Sequence, residues 1–170
     1  MLICITGPEC SGKTALTAYL AEELDASPVY EFARVYLSKK DGEYTYEDLE
    51  IIARGQVASV RAAGDGIVIT DTFLLVIMIW SMHKYAKASD AVKNLFVTHQ
   101  PDVYLLCKPD LPWEHDALRE HEHERDALFE QYLERIQSSG IPCILVEGEG
   151  PERMPKALER LKSIIQKKLP

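Results

Sequence analysis

The chain has little concentrated positive charge. Its 19 Lys and Arg face 27 Asp and Glu, for a formal net charge of −8, and no basic run occurs. Nucleic-acid phosphates are met by clustered Lys and Arg, so an acidic chain of this kind is a poor candidate for nucleic-acid binding. Any positive charge that handles phosphate must be local. Long apolar runs are also missing. The longest extends from Phe73 to Trp80, far short of the ~20 residues that a membrane span needs, and no membrane partner is expected. Cysteine is sparse and unpaired: Cys4, Cys10, Cys107 and Cys143 include no C-x-x-C pair, and three lie in or beside apolar runs. That pattern reads as reduced thiols in a cytoplasmic protein, not as a disulfide frame or zinc site. Met1 leads directly into Leu2-Ile3-Cys4-Ile5 without a basic n-region or an apolar h-region, so no signal peptide is expected. Repeats, low-complexity stretches and a dividing linker are absent.

What is present suits one folded domain over residues 1–170: the length matches a single domain, and 46% hydrophobic residues can form a real core. Five short apolar runs alternate with helical patterns. They are Leu2–Thr6, Val29-Tyr30 closed by Glu31, Ile67–Thr70 closed by Asp71, Val103–Cys107 and Ile141–Val146. Continuous apolar runs of this length suit strands buried on both faces. Between them, Lys13 to Leu24 opens a helix. Thr45-Tyr46-Glu47-Asp48 reads as a capping box for a helix whose inner face carries Leu49, Ile52, Gln56, Val57 and Val60. A further apolar stripe runs from Glu124 through Leu128, Phe129, Tyr132, Leu133 and Ile136 until Gly140 and Pro142 end it. Met154, Ala157, Leu158, Leu161, Ile164 and Ile165 mark a last helix. Strands alternating with helices predict an α/β, doubly wound parallel sheet, with ligands beyond the carboxyl ends of the strands. The polar, His-, Arg- and Glu-rich segment 108–124 reads as a lid.

Gly7-Pro8-Glu9-Cys10-Ser11-Gly12-Lys13-Thr14 matches G-x-x-x-x-G-K-[ST] and stands between a strand and a helix, the context the motif requires. The glycines let backbone N–H groups turn toward phosphate oxygens, and the helix N-terminus adds partial positive charge. Lys13 is then the β- and γ-phosphate ligand and the Thr14 hydroxyl a magnesium ligand. The eight residues predict ATP and Mg²⁺ as cofactors and phosphoryl transfer as the reaction. Asp71 is expected to hold the metal, directly or through water; as a helix N-cap it would serve structure alone. Glu31 is placed to accept a proton from an attacking hydroxyl, and a structural ion pair with Arg34 is the other reading of the same spacing. Arg119 and Arg125 are candidate cations over the migrating phosphoryl group, against a merely solvated loop. His121-Glu122-His123-Glu124 reads as alternating charge in a loop more readily than as a metal site. Trp80, Trp113, Tyr36 and Tyr85 are candidate faces for an aromatic heterocycle, each also explicable as packing.

Together with Glu31-Phe32-Ala33-Arg34-Val35-Tyr36, Tyr46-Glu47-Asp48-Leu49, Ile52-Ala53-Arg54-Gly55-Gln56, Asp71-Thr72, Asp110-Leu111-Pro112-Trp113, Leu118-Arg119-Glu120 and Arg125, the P-loop block resembles the ribosylnicotinamide kinase domain of NadR-type proteins and its stand-alone relatives. The resemblance implies a P-loop kinase fold with strand order 2-3-1-4-5 and helices on both faces. It also implies ATP-dependent phosphorylation of the 5′-hydroxyl of nicotinamide riboside to nicotinamide mononucleotide. NAD synthesis and operator binding belong to other parts of NadR and are not implied. The family often carries a second acid where this chain has Phe73. For a flat pyridinium ring, Trp113 is the first expected aromatic face and Trp80 the second, with Glu31, Arg34 and Tyr36 also on the substrate side. The alternatives are a kinase for another nucleoside or small alcohol, and a regulatory ATP-binding switch; the absence of Asn-Lys-x-Asp speaks against a GTPase switch.

Overall fold

The computed structural model describes residues 1–115 and 123–168. Five strands form one all-parallel sheet: β1 (Leu2–Thr6), β2 (Ser27–Val29), β3 (Val68–Asp71), β4 (Val103–Cys107) and β5 (Cys143–Val146), in the order β2-β3-β1-β4-β5. The helices are α1 (Lys13–Glu23), α2 (Phe32–Leu37), α3 (Tyr46–Ala62), α4 (Leu74–Tyr85), α5 (Asp90–Thr98), α6 (Arg125–Ser139) and α7 (Arg153–Lys168).

Each central strand is buried on both faces, as its unbroken apolar run requires. The two-residue period of the strand sorts its side chains. Ile3, Ile5, Leu105 and Cys107 pack toward α1 and α7 with Leu16, Leu20, Leu158 and Leu161. Cys4, Tyr104 and Leu106 pack on the other face with residues of α2 to α6, including Leu49, Ile79 and Ile136.

The elements read from sequence are all present; β1 and β4 keep the bounds expected, and the other strands shift by one to two residues. β2 starts two residues before its apolar pair and ends one residue earlier, because Ser27, Pro28 and Val29 align with Val68, Ile69 and Thr70. Pro28 is tolerated there because β2 is an edge strand. β5 starts at Cys143, just after Pro142. Thr45 caps α3 in a complete box: its side chain accepts from Asp48 N–H, and Asp48 Oδ2 accepts from Thr45 N–H at 2.8 Å. α2 and α5 add to what the periodicity predicts. Both are short, at 6 and 9 residues, and too brief to print a full apolar stripe. Among the described residues no helix is long and apolar enough to cross a membrane.

Candidate active site

The carboxyl ends of the strands converge on a cleft of about 560 Å³. Its floor is the loop from Gly7 to Thr14, joining β1 to α1. Gly7 has φ +134°, and a Cβ there would stand 2.5 Å from the carbonyl oxygen of Cys107. Gly12, at φ +78°, would bring a Cβ to 2.9 Å from Leu111 Cδ1. Both positions therefore need glycine. Gly12 is the N-cap of α1 and supplies no side chain to it. The helix thus presents its first N–H groups to the cleft, the arrangement that receives phosphate. Lys13 is half-buried and donates to the Pro8 carbonyl at 2.6 Å, and Ser11 Oγ donates to the same carbonyl at 2.7 Å. The Pro8 carbonyl thus takes both side chains and holds the loop closed on itself.

Thr14 and Asp71 meet across the cleft floor. The Thr14 hydroxyl donates to Asp71 Oδ2 at 2.5 Å, while Asp71 Oδ1 is buried without a hydrogen-bond partner among the described residues. Burial raises the Asp71 carboxyl above its ordinary value, against the pull of Thr14 and Lys13. A buried, half-satisfied carboxylate beside a hydroxyl is an oxygen donor pair suited to a hard divalent cation. Asp71 does not cap α4, whose N-cap is Phe73. The next residue, Thr72, has φ +64°, an unusual state for a β-branched side chain. Thr70 Oγ1 donates to its carbonyl at 2.7 Å, and its own N–H donates to the Ile5 carbonyl at 2.9 Å. That turn sends the Phe73 ring into the core, 2% exposed, so the position where the family often has an acid serves packing in this chain.

Glu31 follows β2 and lines the same cleft. Its carboxyl is pushed up to about 7, first by withdrawal from water and further by the charges of Asp71 and Glu9; Lys13 opposes this more than Arg34 does. α3 holds Glu31 in place from beneath. Gln56, 2% exposed, accepts from Phe32 N–H at 2.7 Å and donates to Thr70 Oγ1 at 3.0 Å, with a longer contact of 3.5 Å to the Tyr30 carbonyl. One side chain thus grips the backbone on both sides of Glu31. Gly55 lets α3 approach, since a Cβ there would strike the Phe32 ring at 2.3 Å.

Beyond Glu31 the cleft continues between Ala33, Val76, Trp80, Leu128 and Tyr132, with Arg34 at its edge. Trp80 is therefore on the cleft wall. Trp113 is outside the lining; its ring lies 5.7 Å from the Arg125 guanidinium. Arg125, also outside the lining, donates to the Leu111 carbonyl at 2.9 Å. Tyr36 is also outside the lining. Its hydroxyl donates to Asp48 Oδ1 at 2.6 Å, and its ring stacks on Phe32. Tyr85 donates to the Tyr44 carbonyl at 3.0 Å, a packing role. Arg119, His121 and Glu122 lie outside the described residues, as does part of the 108–124 segment. Among the described residues no cluster of three His, Cys, Asp or Glu is arranged to hold a metal; the Thr14–Asp71 pair with substrate phosphates does not require one. Sequence reading missed Tyr132, whose only signal was a place in the α6 stripe, and Leu111, which packs over Gly12.

The sequence matches the family described as AAA domain over residues 2–153. Among solved structures, a NadR protein in complex with NR superposes with a TM-score of 0.78 at 19% identity, covering 96% of this chain and 50% of that one. A NadR protein in complex with NAD and AMP-PNP gives 0.74 at 20% identity, with 96% and 49% covered. The chain thus spans about half the length of the NadR chains it resembles. Deoxyadenosine kinase from M. mycoides, with products dCMP and dCDP, gives 0.66 at 16% identity, covering 96% of this chain and 100% of that one. The fold shared with them is that of P-loop kinases, with the strand order expected from the resemblance. With its P-loop, its parallel sheet and a match that spans residues 2–153, the chain belongs to the AAA domain family.

Proposed function

We propose that this protein is an ATP- and Mg²⁺-dependent kinase that phosphorylates the 5′-hydroxyl of a nucleoside, with nicotinamide riboside as the acceptor. The observation that carries the reading is the continuity of one cleft from Lys13 and Thr14, past Glu31, to Trp80 and Tyr132. A phosphate donor at one end and a ringed alcohol at the other would meet beside a carboxyl.

In this reading the acceptor hydroxyl attacks the γ-phosphorus and its proton passes to the Glu31 carboxylate. The bond from the γ-phosphorus to the bridging oxygen breaks, and the electron pair leaves on ADP. Lys13, the N–H groups opening α1 and Arg125 meet the negative charge that spreads over the transferring group. Thr14 and Asp71 would hold magnesium, which, when bound, neutralises phosphate charge and orients the donor. Trp80 offers an aromatic face to the base, and a cationic pyridinium gains cation–π attraction in addition to stacking. At that end Glu31 and Glu9 act on the Tyr132 hydroxyl, and negative charge there favours a positively charged acceptor. NadR's complexes with NR and with AMP-PNP, on the same fold, support both the acceptor and the donor.

The deciding measurement is ADP release from ATP across a panel of nucleosides and small alcohols, with Lys13→Ala as the inactive control. Stimulation by nicotinamide riboside above all other acceptors is the expected result. Preference for a neutral nucleoside would leave a kinase of another substrate, a reading consistent with the fold of deoxyadenosine kinase. Hydrolysis independent of every acceptor would instead indicate an ATP-binding switch.

A further inference from the structure

Arg153, at the start of α7, is a buried cation with 7% exposure, and no step of the proposed reaction uses it. Its guanidinium donates in four directions. Nη1 reaches Asp110 Oδ1 at 2.5 Å and the Gly148 carbonyl at 2.5 Å. Nη2 reaches the Ser11 carbonyl in the P-loop at 3.0 Å and the Lys108 carbonyl at 3.2 Å. Asp110 completes the knot, its Oδ2 accepting from Gly148 N–H at 2.6 Å. The planar, multi-donor guanidinium suits this task in a way that an ammonium does not.

The knot lies at the root of the segment that carries Arg125's anchor. Asp110 precedes Leu111, whose carbonyl accepts from Arg125 Nη1 at 2.9 Å and whose side chain lies over Gly12. Farther along, Glu114 N–H donates to Cys10 Sγ at 3.3 Å, and the thiol is 3.4 Å from the Glu114 carbonyl. Among the described residues the segment from 110 to 114 is therefore tied to the P-loop at three places, of which the tie through Arg153 is the ionic one. From these contacts we infer that Arg153 is a positioning residue: through Asp110 and Leu111 it sets the distance between phosphate bound on the P-loop and the Arg125 guanidinium.

This inference rests on the kinase reading for its effect on turnover, and a catalytic cation displaced by about 1 Å can cost on the order of 100-fold in rate. The test compares Arg153→Met, Arg153→Lys and Asp110→Asn in the full chain, each assayed well below its own melting midpoint. The expected result for Arg153→Met and Asp110→Asn is a kcat lower by roughly 10- to 100-fold, with the KM for ATP within about threefold of the parent. Arg153→Lys recovers part of the loss. Unchanged kcat, or a loss carried by the KM for ATP alone, overturns the inference. If Arg153→Met does not fold, Asp110→Asn decides by itself.

A second readout needs no acceptor. The chain has 2 tryptophans, so in a Trp80→Phe background the emission reports Trp113, in the tied segment. ATP added to that protein is expected to shift the Trp113 emission, and Arg153→Met or Asp110→Asn to abolish the shift without abolishing ATP binding measured by calorimetry. A shift that survives both substitutions overturns the coupling. A chain that phosphorylates no acceptor, yet shows an Arg153-dependent shift, would fail as a kinase while keeping the coupling.

Discussion

The Thr14 hydroxyl donates to Asp71 Oδ2 at 2.5 Å, joining the first turn of α1 to the last residue of β3 across 57 positions of sequence. The second Asp71 oxygen is buried and, among the described residues, unpartnered, which leaves it open to a cation. Asp71→Asn is therefore expected to lower turnover by about 100-fold or more and to raise the magnesium concentration needed for half-activity. ATP affinity without metal should hardly change. An unaltered magnesium titration would show that Asp71 serves the loop alone.

Glu31 is expected to impose a pH dependence. Its carboxyl stands near 7 rather than at its ordinary 4.5 because the cleft withdraws it from water. A base must be ionised to act, so kcat/KM for the acceptor should rise with pH and level off above about 7, and Glu31→Gln should remove that rise and cut kcat by roughly 10²- to 10⁴-fold. The effect on stability has the opposite sense. The folded state binds this proton more tightly than the unfolded chain, so stability falls as pH climbs from 4.5 toward 7. The melting point of Glu31→Gln relative to the parent should accordingly be higher at pH 8 than at pH 4. A profile flat through neutrality would remove Glu31 from the proton transfer.

The two tryptophans should separate cleanly. Trp80 lines the cleft, and Trp113 contacts Arg125 instead. Trp80→Ala is expected to raise the KM for a cationic-ring nucleoside by about tenfold, a loss of the size of one good cation–π contact, with less effect on neutral nucleosides. Trp113→Ala should act mainly on kcat. Because Trp80 also stacks on Tyr44 at 6.0 Å, melting curves must accompany the kinetics.

Asp48 tests the scaffold and not the chemistry. It is 4% exposed and takes hydrogen bonds from Thr45, Tyr36 and Lys40. Lys40 and Tyr36 hold its carboxyl well below the usual carboxylate range. Asp48→Ala should destabilise the fold by about 1–3 kcal/mol at neutral pH, through the lost cap and the stranded donors. The lowered value means that the stabilisation is present above the ordinary carboxylate range and is lost as acid protonates the group. Urea titrations of the two proteins should converge on acidification.

Long-range placement separates what the chain reveals in one dimension from what it does not. The P-loop was legible because its chemistry is local: two glycines, a lysine and a threonine must sit at fixed spacing to surround phosphate, and Gly7 and Gly12 carry the positive φ that the spacing implies. The Thr45 capping box was legible for the same reason. The sequence ranked Trp113 ahead of Trp80 on its place in the Asp110–Trp113 block, but the packing of α4 puts Trp80 on the cleft lining, which Trp113 does not join. Tyr36 lies in the same block as Glu31, but the α2 helix rotates its ring onto Phe32 and its hydroxyl to Asp48.

By itself the sequence determined the parallel α/β class, the phosphate loop, the acids that follow β2 and end β3 and the starts of α1 and α3, because strand period, glycine geometry and capping act over a few residues. The tertiary structure alone decided which distant groups meet: Thr14 with Asp71, Gln56 on either side of Glu31, and Arg153 with Ser11 and Asp110. Those pairings depend on sheet order and on how closely α3 and α7 approach their neighbours. That approach is set by burial of apolar faces across the whole molecule, and no short stretch of chain records it.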